Sequence, residues 1–105
     1  MISGIMLKKI ISDSLIASGA NKIAVGVYVF GSYLQSDHYN DIDILLVVNA
    51  CGVDDYKISI KFRGISKEKF KQKYDVNLDV VILTKEEEKQ TNFSVKEPSC
   101  LIWPG

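Results

Sequence analysis

Eight residues, Asp41-Ile42-Asp43-Ile44-Leu45-Leu46-Val47-Val48, set the tightest limit on what this chain can fold into. The second half is an unbroken aliphatic run, the composition of a central strand buried on both faces of a sheet. The first half alternates acid and isoleucine. Side chains two apart in a strand point to the same face. Both carboxylates therefore face one way, and Ile42, Ile44 and Leu46 the other. An ionised carboxylate inside an apolar strand costs several kcal/mol unless something positive meets it. No Lys or Arg lies nearby in the sequence, so a bound divalent cation is the simplest compensation.

A third carboxylate repeats the pattern. Asp79 interrupts the apolar run Val76-Asn77-Leu78-Asp79-Val80-Val81-Ile82-Leu83. If the two strands are neighbours, three carboxylates converge. Like charges held that close raise one another's pKa and destabilise the fold unless cations neutralise them. An oxygen-only donor set suits Mg²⁺ or Mn²⁺ over Zn²⁺. Two such ions about 3.5–4 Å apart drive in-line displacement at phosphorus. Gly31-Ser32, nine residues before Asp41, supplies the other half of the pattern. Glycine at a strand end lets a phosphate approach the backbone, and a helical turn after it would aim free N–H groups at that phosphate.

The remaining elements follow from periodicity. Residues 4–18 carry Leu7, Ile10, Ile11 and Leu15 on one helical stripe, with Ser3 as a cap and Gly19 as the stop. Residues 23–30 read as a strand with Val25, Val27 and Val29 on one face and Tyr28 and Phe30 on the other. Residues 31–40 are a polar connection with a short helical turn after Ser32, 41–49 are the acidic strand, and 49–52 a break. Residues 54–74 fit two periods. Tyr56, Ile58, Ile60 and Phe62 alternate like a strand, whereas Ile58, Phe62, Ile65 and Lys69 step like a helix continued by Phe70 and Tyr74. Composition selects a helix capped by Asp54, at a cost of about 1 kcal/mol for Gly64 in its interior. Residues 76–83 form a third strand. Thr84 caps a short helix over 85–89, with Glu87 completing a capping box. Ser99–Trp103 reads as a short edge strand. Helices alternating with strands make an α/β (α+β) layer structure, and 105 residues suffice for one domain spanning 1–105.

The constellation Phe30-Gly31-Ser32, Asp41-Ile42-Asp43-Ile44 and Asp79 resembles the nucleotidyltransferase superfamily that includes DNA polymerase beta. In length the chain is similar to the stand-alone minimal nucleotidyltransferases of bacteria and archaea. The resemblance runs from about Ile23 to Thr84. It implies a mixed sheet of three to four strands packed against helices. It implies that Asp41 and Asp43 bind two Mg²⁺ ions, that Asp79 binds one and helps activate the attacking hydroxyl, and that Gly31 and Ser32 hold the triphosphate. The implied activity moves a nucleoside monophosphate, AMP from ATP, onto a hydroxyl acceptor. The implied partners are a helical HEPN ribonuclease toxin, countered by this chain as antitoxin, or a second copy of the chain. Two features depart from the family pattern: only eight residues separate Ser32 from Asp41, and Gln35 and Ser36 stand where that connection often carries a glycine. They leave room for an alternative, a nucleotidyltransferase-fold binding module that holds a partner or nucleotide without turnover.

Composition narrows the classes further. Thirteen basic residues balance thirteen acidic ones, which disfavours a protein that grips nucleic acid by bulk charge. No run is long enough for a membrane span, and Lys8, Lys9 and Asp13 break any signal-peptide pattern, so a cytoplasmic protein is expected. Cys51 and Cys100 read as inert core thiols. His38 reads as a solvated loop residue, Tyr33 and Tyr39 as packing, and Lys61, Arg63 and Lys67 as solvated helix charge. The segment from Phe93 to Trp103 is expected to pack on its own domain.

Overall fold

Ser3 opens the first helix by accepting a hydrogen bond from the Met6 amide at 3.2 Å, and Gly19 closes it with φ 81°. Between them α1 (Gly4–Ser18) buries Leu7, Ile10, Ile11 and Leu15. The computed structural model describes residues 2–35, 41–49, 52–93 and 99–104. After a 3-10 turn at Ala20–Lys22 come β1 (Ala24–Phe30), α2 (Ser32–Gln35), β2 (Asp41–Val48), α3 (Val53–Tyr74), β3 (Asn77–Thr84), α4 (Lys85–Thr91) and β4 (Ser99–Trp103). The result is a mixed α+β layer structure.

The sheet has the order β3-β2-β1-β4. β1 runs antiparallel to both β2 and β4, while β2 and β3 are parallel. A parallel pair needs a crossover, and α3 supplies it. One face of the sheet carries Val27, Val29, Ile42, Ile44, Leu46, Val48, Leu78 and Val80 into the core with α1 and α3. Phe62 and Phe70 of α3 are fully buried there. The two helices also bury small hydroxyl residues: Ser14 and Ser18 on α1, Ser59 and Ser66 on α3. Each hydroxyl donates back to its own helix, to the carbonyls of Ile10, Ser14, Asp55 and Phe62 at 2.7–2.9 Å. Local satisfaction lets these polar groups stay buried without partners across the interface. No helix among the described residues is long and apolar enough to cross a membrane.

Several expectations need correction. Val25 is exposed, because the β1–β2 register shifts between Ala24 and Gly26 and turns it off the core face. Asp54 is not the cap of α3. The helix begins at Val53 after Gly52, so Asp54 and Asp55 lie in its first turn, where acids complement the helix dipole. Of the two periods in this stretch the helical one holds. Ser59, Phe62, Ser66 and Phe70 form the buried stripe, and Tyr56 is exposed. Cys100 is an exposed free thiol, since β4 lies at the sheet edge. Cys51, His38 and Tyr39 lie outside the described residues. The capping box at Thr84 and Glu87 forms, and nothing on α4 is buried. Ile102 and Trp103 pack against the core, and the Phe93 ring meets Phe30 edge-on at 5.0 Å.

Candidate active site

The acidic residues gather at one end of the sheet face that α1 and α3 leave uncovered. Strand alternation places Asp41 and Asp43 opposite the buried Ile42 and Ile44. The parallel register then fixes the third: Asp43 pairs with Asp79, and Asp41 with Asn77. Neighbours in register project to the same face. Asp41, Asp43, Asn77 and Asp79 therefore make two adjacent rungs of one polar surface. β1 runs the other way, so its C-terminal end reaches the same place, with Phe30 opposite Asp43.

Gly31 follows at φ 77° and closes the turn into α2, where the Leu34 amide bonds its carbonyl at 3.1 Å. A larger residue is strained here. A Cβ on Gly31 would run into the Asp43 carboxylate, and the left-handed backbone disfavours any side chain as well. The glycine thus lets the backbone turn come directly against the Asp43 carboxylate. The Ser32 side chain lies outside what is described. Tyr33, next along, is half-buried and donates its hydroxyl to the Ile2 carbonyl at 2.9 Å, which ties this turn to the start of the chain.

The electrostatics follow from the placement. Asp43 is the most constrained of the three. Burial raises its pKa first, the Asp79 charge second and the Asp41 charge third. Asp79 itself is exposed, because β3 is an edge strand and not the core strand that its apolar neighbours suggested. Among the described residues, no three carboxylate, imidazole or thiol groups stand close enough to hold one ion between them as placed. The Asp79 and Asp41 charges are near enough to add to the effect of burial on Asp43, and the three carboxylates as placed form no closed ion cage among the described residues. The donor set on this face is oxygen-only and crowded with negative charge, which fits a hard divalent cation.

Asn77 was not singled out from the sequence. Its signal was its position two residues before Asp79, which puts it on the same face. Only the register shows that it stands beside Asp41.

The chain is similar to a solved structure, the crystal structure at 1.40 Å of a "putative nucleotidyltransferase" from Sulfolobus solfataricus. The two chains are 25% identical and align with a TM-score of 0.55, over 95% of this chain and 82% of that one. No protein-family model and no curated protein matches the chain.

Proposed function

We propose that this chain, which has the nucleotidyltransferase fold, transfers a nucleoside monophosphate, AMP from ATP, to a hydroxyl acceptor. Asp41, Asp43 and Asp79 would hold two Mg²⁺ ions, or Mn²⁺ in their place. The observation that carries the reading is the registered rung of Asp43 and Asp79, with Asp41 on the same face and the Gly31 turn against Asp43. When bound, two divalent ions neutralise charge on the phosphoryl group and acidify the attacking hydroxyl. Asp79, exposed on the same face, would take the hydroxyl proton as the acceptor oxygen bonds the α-phosphorus and pyrophosphate leaves. Asp41 and Asp43, fixed on a central strand, would hold the ions through which the triphosphate is oriented. The Gly31-Ser32 turn holds the triphosphate through its backbone.

The role we assign to this activity is that of an antitoxin, with a helical HEPN ribonuclease as the partner that receives the AMP. The test incubates the protein with α-labelled ATP, Mg²⁺ and candidate acceptors, such a ribonuclease among them. Label should reach an acceptor with the natural chain and not with Asp41→Asn, Asp43→Asn. If no nucleoside triphosphate donates label while the fold is intact, the proposal fails.

A second reading draws on the open spacing of the carboxylates, which hold no ready-made ion cage. On it, the fold binds a nucleotide or partner without turnover. The doubly substituted variant separates the two: a binding module keeps its biological effect, and a transferase loses it while still engaging its partner.

A further inference from the structure

The chain's net charge of zero hides an uneven distribution. α3 carries seven of the thirteen basic residues, all between Lys57 and Lys73, and from Tyr56 to Tyr74 a single acid, Glu68, stands among them. Few of these charges are met inside the fold. Lys71 pairs with Asp75 at 2.9 Å, and Glu68 accepts a hydrogen bond from Gln72 at 3.1 Å. Lys69 and Lys73 turn toward α1 and line a groove with Lys9 and Asp13. Lys57, Lys61, Arg63 and Lys67 enter no ion pair among the described residues. The three lysines are exposed and Arg63 is half-buried. At 3.6 residues per turn these four spread from the crown of the helix to the side away from α1, toward the β3 edge. Tyr56 lies on that side too and is 53% exposed. Gly64 sits on the crown among the cations. A Cβ there would meet nothing, so no neighbour in the fold requires a glycine that weakens the helix.

We infer that this side of α3 is a docking surface for single-stranded RNA. Lys57 to Lys67 spans about 15 Å of helix axis, the length of about four nucleotides at 3.4 Å each. Four cations over that length supply one for each phosphate. The bare backbone at Gly64 lets a strand lie close against the helix, and the Tyr56 ring offers a face on which a base stacks. Stacking of that kind needs unpaired bases, which RNA presents in loops and ends. A membrane surface fits less well. A helix lying in a bilayer needs its apolar face free, and that of α3 is buried in the core through Phe62 and Phe70. The surface is separate from the carboxylates, which stand on the opposite face of the sheet. The inference therefore does not rest on nucleotidyl transfer.

Fluorescence anisotropy of a labelled, unstructured 20-nucleotide RNA, titrated with the full chain in EDTA, tests the surface without engaging the proposed metal site. Binding should be measurable at about 100 µM protein in 50 mM KCl. Four phosphate contacts give a slope of about −2.8 in log K against log salt, so 200 mM KCl should weaken binding about fiftyfold. Lys57→Gln, Lys61→Gln and Lys67→Gln together should cut that loss to about threefold, with the circular dichroism spectrum unchanged because all three are exposed. Lys8→Gln, Lys22→Gln and Lys85→Gln, the same loss of charge away from α3, should leave the salt slope as it was. Tyr56→Ala should weaken binding at least fivefold without changing the slope. A natural chain that ignores the RNA at this concentration overturns the inference. So does a control triple variant that loses as much as the α3 one, or a Tyr56→Ala chain that binds as before. Tighter binding to DNA of the same sequence, single-stranded or duplex, or to polyglutamate, overturns it as well.

Discussion

Replacing Asp43 by Asn should make the metal-free protein more stable, the reverse of what most substitutions do. Asp43 and Asp79 are in-register neighbours on adjacent strands, so their Cα atoms are about 5 Å apart and their charges about 5–6 Å. At that separation Coulomb's law gives about 3 kcal/mol of repulsion at an effective dielectric of 20, and about 0.8 kcal/mol in bulk water. Asp79 is exposed, so solvent and salt hold the figure near the lower end, about 1 kcal/mol. For a chain of this size that corresponds to about 4–5 °C in Tm. The pH dependence has a definite sign. Because the folded-state pKa of Asp43 is raised, the native chain keeps a proton that the unfolded chain has released. Stability therefore falls as pH rises from the ordinary aspartate value through the raised one, and stays lowered above it. The gain from Asn should be present at pH 7.5 and shrink at about pH 3, where the carboxyl is protonated in both states. Melts followed by circular dichroism, in EDTA and in about 10 mM Mg²⁺, read all of this. For a site of about millimolar affinity, that metal concentration restores about 1.4 kcal/mol to the natural chain. Asp43→Asn should respond little. A variant that melts lower than the natural protein in EDTA, or a natural protein indifferent to metal, refutes the reasoning.

Other substitutions probe the surroundings. Gly31→Ala should cost about 1–3 kcal/mol in urea unfolding, from its left-handed backbone and its collision with Asp43. Adding Asp43→Ala should recover the collision part alone. Tyr33→Phe removes the bond to the Ile2 carbonyl and should lower stability by about 0.5–1.5 kcal/mol. Phe62→Ala empties a fully buried site and should cost about 3–5 kcal/mol. Thr84→Ala breaks the capping box of α4 and should cost about 1 kcal/mol by the same measurement.

Where a residue's neighbours in sequence fix its surroundings, its place was legible. α1 with its serine cap and glycine stop, the acidic strand β2, and the Thr84–Glu87 box all depend on contacts within a few residues. Asp41 and Asp43 share a face by strand geometry alone. That Asp79 joins them rests on β2 and β3 pairing in register, a long-range event on which the sequence is silent. The same gap explains the misread elements. An apolar run around Asp79 looks like a central strand, yet β3 lies at the edge and is half-covered from one face. Cys100 looks like a core thiol because β4 is apolar, and its exposure comes from having a neighbour on one side only. A shift of register in β1 moved Val25 off the core face, and no periodicity encodes such an irregularity. Asn77 stayed unremarked for the reason that left Asp79 uncertain.

The most direct test is a crystal grown with Mn²⁺ and a non-hydrolysable ATP analogue, with data collected at the manganese absorption edge. Anomalous peaks should appear among the carboxylates of Asp41, Asp43 and Asp79, with the triphosphate running along the Gly31 turn. Bound analogue with no manganese on that face, or manganese held by other residues, would contradict the account at its root.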